Sequence, residues 1–385
     1  MEIICERSSC TACGACAGIC PKDCISFQAD DKENGHIFPV INQNLCIDCG
    51  LCERTCPVNH PVQSNVPDKV FASYALDENV CNSSSSGGLA YSLSQEILRR
   101  GGVVYGSVIE YGDNFKICHE RIDNITELAR TQSSKYVHSK VDRKIYHSIR
   151  KDLTDGRPVL FTGTGCQIAG VRNYLKKDYP NFFAIDIICH GVPSFKLLTD
   201  YLSIRYDISQ IKEIYFRNKS SFFIYGTYGT YGTYGTSICL PLHKNLYMMG
   251  FMKGLYYRPA CYDCHYARPE RCGDLTLGDF WGLKARFTDR PVSSRGTSVV
   301  LVNTDKGRWL FDSLQDSLAL IERPLKEAVE GNPQLRHPSH RHFAYRLFKT
   351  CYPLLGFRFS AILSLGREKL FYTYALPLLN KLRSH

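Results

Sequence analysis

The chain has 385 residues, of which 44% are hydrophobic and 22% charged, and its formal net charge is +10. This composition excludes a disordered or fibrous chain and fits a folded protein of two or three domains. The charge is uneven: residues 1–63 hold eight acidic and four basic side chains, whereas nine basic residues from position 336 onward accompany one acidic residue, Glu368. No nucleic-acid motif accompanies the basic residues, so we expect no nucleic-acid partner.

Two cysteine runs with the same spacing lie within the first sixty residues. In each run, three cysteines at intervals of three positions are followed four positions later by a fourth cysteine and a proline. This is the bacterial-ferredoxin spacing for two [4Fe–4S] clusters, in which the fourth cysteine of each run binds the other cluster. The predicted ligands are Cys10, Cys13, Cys16 and Cys56 for one cluster, and Cys46, Cys49, Cys52 and Cys20 for the other.

Zinc sites and disulfides explain this spacing less well. Zinc needs two separated Cys-x2-Cys halves rather than a third cysteine two residues on. Disulfides need an oxidising compartment, and the N-terminal residues show no basic start followed by the apolar run of a secretory signal. We therefore expect a cytoplasmic protein that carries electrons, and the uneven charge favours docking of electron-transfer partners.

The elements predicted along the chain divide it into an α+β module and an α/β domain. Residues 1–63 form a ferredoxin-like two-cluster module that includes a hairpin of segments 24–27 and 36–41, and it ends in the proline-punctuated stretch 57–67. From residue 70, strands alternate with helices, which is typical of an α/β domain with a mixed sheet. The predicted strands are 71–76, 103–109, 158–161 and 183–188, with a helix at 90–99.

A serine- and glycine-rich loop at 82–88 directly precedes the helix predicted at 90–99. Such a loop can present backbone N–H groups and the positive end of a helix dipole to a phosphate, so a flavin pyrophosphate is one interpretation. An ordinary helix cap is the other, because serines commonly cap helices. The residues concerned are Ser85, Ser86, Gly87 and Gly88.

Further motifs follow this loop in a fixed order. They are Gly-Gly-Val-Val-Tyr-Gly at 101–106, Ser-Lys-Tyr-Val-His-Ser at 134–139, Gly-Thr-Gly-Cys-Gln at 163–167, Cys-His-Gly-Val-Pro-Ser at 189–194 and Gly-Asp-Phe-Trp-Gly at 278–282. From about residue 71 to 303 the chain resembles the family of coenzyme F420 hydrogenase/dehydrogenase beta subunits, preceded by a two-cluster module. The resemblance implies an FAD-binding domain at 70–185, a C-terminal domain with an inner cluster at 186–325 and a basic helical tail at 326–385.

The resemblance also implies which residues contact the flavin. Besides the serine-glycine loop, these are Ser134, Lys135, Tyr136, Thr162, Gly163 and Thr164. Two side chains of the motifs are catalytic candidates: Lys135 can neutralise charge on the flavin, and His190 can donate a proton to a substrate. An exposed strand-end lysine and a histidine that satisfies backbone groups are the alternatives.

A third [4Fe–4S] cluster is implied in the same way. Its ligands would be Cys166, Cys189, Cys261 and Cys264, with Cys272 as a rival to Cys166 for the fourth position. A zinc site stays open here, because only one Cys-x2-Cys pair is local. The six other cysteines show no ligand spacing and are interpreted as packing residues: Cys5, Cys24, Cys81, Cys118, Cys239 and Cys351.

The predicted function is that of an iron–sulfur flavoprotein oxidoreductase. A reduced carrier such as ferredoxin would give electrons through the clusters to FAD and an organic substrate. The alternatives are an enzyme acting on coenzyme F420 itself and a non-catalytic electron-transfer subunit of a larger redox complex.

Two further segments are unusual. Four Tyr-Gly-Thr triplets at 225–236 depart from the family and predict an extended hairpin tip. The tail alternates basic and apolar clusters, which predicts short amphipathic helices that either make peripheral contact with a membrane or pack onto the flavin domain. It lacks the roughly 18 charge-free apolar residues of a membrane span.

Overall fold

The computed structural model describes residues 3–218, 221–229, 236–285 and 296–370. Over these residues the strands form three sheets of two, three and eight strands. In chain order the strands are β1 (Ile25–Asp30), β2 (His36–Ile41), β3 (Lys69–Ala75), β4 (Val103–Glu110), β5 (Lys116–Ile122), β6 (Val159–Thr164), β7 (Phe182–Ile187), β8 (Ile211–Asn218), β9 (Ser221–Tyr228), β10 (Thr236–Leu240), β11 (Leu275–Asp279), β12 (Ser298–Val302) and β13 (Leu318–Glu322).

The helices of the described residues range from one turn to 26 residues in length. The longest is interrupted at Gly356, whose φ of 68° is left-handed. In chain order they are α1 (Ala15–Ile19), α2 (Leu51–Thr55), α3 (Glu78–Ser83), α4 (Leu89–Arg99), α5 (Ile125–Leu128), α6 (Arg143–Thr154), α7 (Gly165–Leu175), α8 (Phe195–Leu202), α9 (Leu246–Met252), α10 (Asp305–Asp312), α11 (Leu325–Gly331) and α12 (Tyr345–Leu370).

The eight-stranded sheet has the order β13-β3-β12-β11-β7-β6-β4-β5. Its four neighbours β11, β7, β6 and β4 are parallel, and the remaining pairings are antiparallel. The predicted mixed sheet is therefore confirmed, and the strands predicted from residue 71 to 188 correspond to β3, β4, β6 and β7. The carboxyl ends of the parallel strands meet at one edge, where open α/β sheets bind their ligands.

Both faces of this sheet are covered. Val103, Tyr105 and Phe161 pack against α6 and α7, whereas Val104 and Leu160 face α4 and α10. Adjacent residues on one strand thus contribute to opposite cores. This explains why the central strands read as continuous apolar runs rather than as alternating patterns.

The N-terminal module is ferredoxin-like and packs onto the sheet domain. Its predicted hairpin is confirmed, since β1 and β2 pair from Ile25 opposite Ile41 to Asp30 opposite His36. The hydroxyl of Tyr146, on α6, donates to the carbonyl of Cys13 at 2.7 Å. Because this bond reaches the residues just before α1, the module is held directly against the helices that cover the sheet.

The three-stranded sheet and the C-terminal helix form a second core. Phe348 and Phe357 of α12 are buried with Tyr256 and with residues of α9. The Tyr-Gly-Thr repeat begins in β9 and ends at Thr236 in β10, which pairs with Tyr228, while residues 230–235 lie outside the described residues. Of the predicted tail helices, α12 is observed, and residues 371–385 also lie outside the description.

Among the described residues, no helix has both the length and the apolar character needed to cross a bilayer.

Candidate functional site

The two N-terminal cysteine runs have the same backbone. Ala12 and Asp48 occupy equivalent positions with φ of 52° and 50°, and Gly14 and Gly50 follow with φ of 93° and 70°. Each left-handed pair is followed by a single helical turn, α1 or α2, which contains the third cysteine of the run. The sequence repeat is therefore a structural repeat, and its turns bring the cysteines of each run close together.

The first thiol group consists of Cys10, Cys13, Cys16 and Cys56, which are all 7–8% exposed. Burial raises the pKa of Cys13 to about 12, and burial together with the three neighbouring thiols raises the pKa of Cys16. The hydrogen bonds from Cys5 instead lower the pKa of Cys10 to about 6 and of Cys56 to about 7. All four thiols become thiolates when a metal cation binds them. Four converging sulfurs suit soft iron ions, so the donor set fits a [4Fe–4S] cluster.

The second thiol group consists of Cys20, Cys46, Cys49 and Cys52, which line one cavity. Cys20 is buried, but the other three are partly exposed, and the adjacent Leu45 and Ile47 are 51% and 57% exposed. This group therefore lies at the surface. The structure thus places Cys56 beside the first run and Cys20 beside the second, and their binding of clusters stays a prediction.

Each N-terminal group has a fifth thiol that the sequence interpretation assigned to packing. The thiol of Cys5 hydrogen-bonds Cys10 and Cys56, which raises the pKa of Cys5. Cys24 lies 3.3 Å from Cys20, sulfur to sulfur, and also interacts with Cys46. Their signal in the sequence is position alone, because both lie just outside the ends of the first cysteine run.

The inner thiol group consists of Cys166, Cys189, Cys261 and Cys264, contributed by three segments. Cys166 lies in the first turn of α7 after β6, and Cys189 follows β7 by two residues. Because β6 and β7 are parallel neighbours, with Thr164 opposite Ile187, both cysteines reach the same sheet edge. The Cys261 segment is attached there by the amide of Arg258, which donates to the carbonyl of Val192.

Burial dominates the electrostatics of the inner thiol group. It raises the pKa of Cys189 to about 12 and of Cys264 to about 11, and it raises the pKa of Cys261 as well. Each of these thiols is also affected by Cys166, so the four sulfurs lie close to one another. The donor set again fits a cluster bound by four thiolates.

The rival ligand, Cys272, is engaged elsewhere. Its sulfur lies 3.3 Å from the carbonyl oxygen of Gly165 and 3.9 Å from a carboxylate oxygen of Asp186. Burial and then Asp186 raise the pKa of Cys272. A thiol that donates to a carbonyl beside a carboxylate is unsuited to be a thiolate ligand, and this favours Cys166.

The first and inner thiol groups are neighbours. Cys13 and Cys166 interact electrostatically. Gly170 of α7 is packed so tightly that a methyl group there would lie 2.9 Å from the sulfur of Cys13. Tyr266 interacts with Cys13, Cys166 and Cys264, and so lies beside both groups. Cys16 and Cys56 also pack with Cys20 and Cys52 of the second group. The buried first group therefore lies between the second and inner groups, whose cysteines are mostly partly exposed.

Two of the predicted flavin segments meet. The amide of Ser134 donates to the hydroxyl of Ser85 at 3.0 Å, and Ser86 packs against Gly296. Gly87 donates its amide to Ser298 at 3.0 Å, and Gly88 is the left-handed cap of α4 with φ of 87°. The loop thus serves partly as a cap, and it also brings Ser134 beside the start of α4.

The third flavin segment lies at the carboxyl end of β6. The hydroxyl of Thr162 is buried and has no hydrogen-bond partner within the described part of the chain. Gly163 follows, and the hydroxyl of Thr164 lies 3.1 Å from the sulfur of Cys166. An orphaned hydroxyl at this edge, next to the inner thiol group, fits a polar ligand such as a flavin.

The structure shows the surroundings of the two predicted catalytic residues, Lys135 and His190, whose roles stay predictions. The ammonium of Lys135 donates to the carbonyls of residues 130–133 at 2.7–3.3 Å, and burial lowers its pKa to about 7. It is therefore neither an exposed strand-end lysine nor directed at a phosphate. His190 is exposed at the surface. The protein atoms around it lower its pKa by desolvation, and the charge of Asp279 opposes this shift. No contact joins Lys135 to His190 among the residues described.

Sequence reasoning missed an ion pair beside His190. Arg217 donates twice to Asp279, at 2.6 and 3.1 Å, and once to the hydroxyl of Tyr136 at 3.2 Å. Asp279 ends β11 within the Gly-Asp-Phe-Trp-Gly motif, which was the one available signal. The pair lies between the predicted flavin residue Tyr136 and the predicted catalytic residue His190.

Comparison with known proteins gives two family matches. Residues 156–328 match the family described as the C terminus of the coenzyme F420 hydrogenase/dehydrogenase beta subunit. Residues 9–60 match the 4Fe-4S dicluster domain. An uncharacterized ferredoxin from Methanocaldococcus jannaschii is 36% identical over 59 residues, which are 15% of this chain and 73% of that protein.

Longer relatives share less identity. One of the subunits of the F420H2 dehydrogenase from Methanosarcina mazei is 20% identical over 345 residues, covering 84% of this chain and 87% of that relative. The coenzyme F420-dependent sulfite reductase of M. jannaschii is 24% identical over 195 residues, and the match spans 50% of this chain and only 29% of that reductase.

A solved structure is also similar. A chain of the F420-reducing [NiFe] hydrogenase complex from Methanosarcina barkeri matches with a TM-score of 0.46 and 16% identity, covering 73% of this chain and 98% of that one. The first family match covers the motifs at 163–167, 189–194 and 278–282, whereas those at 101–106 and 134–139 lie outside it. Residues 156–328 therefore belong to the C-terminal domain family of coenzyme F420 hydrogenase/dehydrogenase beta subunits, and residues 9–60 form a 4Fe-4S dicluster domain.

Proposed function

We propose that the chain is an iron–sulfur electron-transfer subunit of a redox complex that acts with coenzyme F420. The observation that supports this is the succession of three groups of four thiols from the surface to the edge of the parallel sheet. The second, first and inner thiol groups would each hold one [4Fe–4S] cluster, and a zinc ion in the inner group is the alternative. Bound clusters would supply single-electron transfer.

The protein determines where the clusters would lie relative to an electron carrier and to a bound ligand. The second thiol group is partly exposed beside Leu45 and Ile47, where a carrier such as ferredoxin can approach. The acidic surface of residues 1–63 suits complementary docking with a basic partner. The inner thiol group lies at the carboxyl edge of β6 and β7, so electrons would be delivered to a ligand bound at this edge.

Iron and acid-labile sulfide measured after anaerobic purification test this proposal. Three clusters require about twelve iron and twelve sulfide per chain. Cys49→Ser, Cys13→Ser and Cys261→Ser, one in each group, should each remove about four iron. Eight iron with zinc in the inner group would restrict the proposal to the N-terminal module, and no iron would overturn it.

We further propose that the edge beside Cys166 binds FAD, which would supply the conversion between single-electron and hydride chemistry. The hydroxyls of Ser85, Ser134 and Thr162 would contact it, whereas the amide of Ser134 is used by Ser85 and Lys135 donates to backbone carbonyls. The test is flavin content after anaerobic purification. Thr162→Val should lower the stoichiometry of flavin while leaving iron unchanged, and a wild-type protein that binds no added FAD contradicts this part.

The acceptor can be coenzyme F420 or another organic substrate, and the larger complex can supply the catalytic site. Turnover of the isolated chain with a chemically reduced ferredoxin separates these cases. Reduction of coenzyme F420 without a partner supports an enzyme, whereas electron uptake without product supports a subunit that only connects a carrier to a catalyst. Absence of electron uptake contradicts both.

We also propose that α12 rests on an anionic membrane surface. Phe343, Leu354, Phe359 and Leu363 are 57–81% exposed. Exposed arginines alternate with them, whereas the single acidic residue of this region, Glu368, is paired with His342. Exposed apolar side chains accompanied by basic side chains suit the boundary between lipid headgroups and acyl chains.

Sedimentation of the full chain with vesicles tests this contact. We expect binding to vesicles that contain phosphatidylglycerol, little binding to pure phosphatidylcholine, and loss of binding in the double variant Phe359→Ser, Leu363→Ser. Val66→Ser is the matched control, because Val66 is 64% exposed outside this surface. Equal recovery in the supernatant for wild type and double variant contradicts lipid binding. A change in oligomeric state caused by the double variant also contradicts it, because this surface would then be a contact between copies of the chain.

A further inference from the structure

One buried cation has no carboxylate partner. Arg258 is 1% exposed, and its guanidinium donates to the carbonyls of Cys10 at 3.3 Å and Ile37 at 3.0 Å. Its Nε atom is buried without a hydrogen-bond partner, and no ion pair to Arg258 is found among the described residues. Both bonds are made to neutral acceptors of the N-terminal module.

Burying such a charge is costly. An arginine removed from water is stable only when an anion and further hydrogen bonds compensate, and an uncompensated buried charge is strongly destabilising. A buried arginine is usually compensated by a carboxylate, as Arg271 is: it is 3% exposed and donates to Asp186 at 2.9 and 3.1 Å. Arg258 therefore requires an anion that is not a carboxylate.

The groups around Arg258 identify that anion. Burial lowers the pKa of Arg258, and the groups that raise it are thiols of both neighbouring groups: Cys10 and Cys13 of the first, and Cys166 and Cys261 of the inner. The backbone agrees, because Arg258 bonds the carbonyl of Cys10 through its side chain and the amide of Cys261 through its own carbonyl. Arg258 thus links the two thiol groups.

We infer that Arg258 is the shared counter-charge of the first and inner clusters and raises the reduction potentials of both. The inference rests on the proposed function. A reduced cluster carries one more negative charge than an oxidised one, so a nearby buried cation stabilises the reduced form. Arg258 stays protonated throughout and exchanges no proton or electron. It acts on the clusters only through its fixed positive charge and is not a catalytic residue.

The second thiol group is compensated differently. The cations near it lie at the surface: Arg143 acts on Cys20 and is paired with Asp23, and the exposed Arg54 donates to the carbonyl of Cys49 at 2.7 Å. Solvent screens these two charges much more than the charge of the buried Arg258. The second cluster should then have the lowest potential of the three, so electrons that enter at the surface move inward.

Redox titration monitored by EPR tests the inference on the whole protein. In the wild type, two centres should have higher potentials than the third. Arg258→Met should lower the equilibrium constant for reduction of those two centres about tenfold, which corresponds to a decrease of roughly 59 mV in each reduction potential. The reduction potential of the third centre should not change. Arg258→Lys keeps the positive charge but not the planar guanidinium group. It should therefore keep both reduction potentials close to their wild-type values.

A matched control excludes a general packing effect. Arg150 also donates to a backbone carbonyl, that of Tyr174, and lies over the ring of Tyr174, as Arg258 lies over Phe38. Arg150→Met should move no potential. Three clusters whose potentials do not respond to Arg258→Met overturn the inference. A wild type with two clusters instead restricts the proposed function to the N-terminal module, and one without clusters overturns the proposed function. If Arg258→Met does not fold, the wild-type order of potentials still decides, since three equal potentials contradict it.

Discussion

The two N-terminal thiol groups and the inner thiol group are built in opposite ways. The N-terminal groups arise from a local repeat, in which left-handed residues and a single helical turn place three cysteines of each run together. The inner group is assembled from two strand ends and a distant segment, and it exists only when the parallel sheet is formed. Local spacing can encode the first kind of site, whereas the second depends on tertiary structure.

The strongest test of this difference is the fourth ligand of the inner group. Cys166→Ser should lower iron from about twelve to about eight per chain, because its sulfur faces the other three thiols. Cys272→Ser should keep all twelve, because Cys272 donates to the carbonyl of Gly165. The reverse pattern of iron contents would show that the inner group rearranges around Cys272.

A second prediction concerns what holds the inner group in place. Asp186 of β7 accepts two bonds from Arg271 and one from the amide of Gly273, and Arg271 in turn donates to the carbonyl of Tyr266. Asp186→Asn leaves a buried guanidinium uncompensated, so it should cost about 3–5 kcal/mol of stability. Anaerobic urea unfolding followed by tryptophan fluorescence measures the loss.

The control for this ion pair is at the surface. Glu322 pairs with Lys69 at 3.2 Å, and both side chains are 41–58% exposed. Glu322→Gln should therefore cost less than about 1 kcal/mol. Similar costs for both variants would mean that the buried pair does not organise the inner segment.

A third prediction distinguishes the two halves of the local repeat. Gly14 and Gly50 are both left-handed, so an alanine at either should cost about 1–2 kcal/mol. At Gly14 the added methyl would also lie 2.4 Å from the carbonyl oxygen of Val141, whereas at Gly50 its nearest neighbour is the flexible end of Arg54. Gly14→Ala should therefore lower the melting temperature more than Gly50→Ala. Equal decreases would argue against tight docking of the module.

The sequence predicted what local patterns determine. Cysteine spacing predicted the grouping of the N-terminal thiols, and apolar runs predicted β3, β4, β6 and β7. The environment of Lys135 could not be predicted, because its four carbonyl acceptors depend on the path of one loop. The link made by Arg258 could not be predicted either, because no sequence pattern distinguishes an arginine that lies three residues before a cysteine. Its burial arises only when the N-terminal module packs against the rest of the chain.

The smallest expected effect lies remote from all three thiol groups and sets the baseline for stability changes. Glu96 of α4 is 6% exposed and accepts from Arg99 at 2.8 Å and Arg100 at 2.6 Å. The bond from Arg99 lowers the pKa of this carboxyl below its ordinary value of 4.5, although burial opposes the shift. A carboxyl with a lowered pKa stabilises the fold above the unfolded pKa, and this contribution is lost as pH falls through the folded value.

Glu96→Gln should therefore cost about 1 kcal/mol at pH 7, for two helical pairs to a largely buried carboxylate. The difference from wild type should shrink as pH falls below 4.5, the ordinary pKa, because protonation then removes the same charge from the wild type. Urea unfolding of both proteins across this range measures it. Glu127→Gln, at a pair in which both side chains are 43–48% exposed, should cost less at every pH. A cost for Glu96→Gln that is independent of pH would assign the role of Glu96 to packing rather than charge.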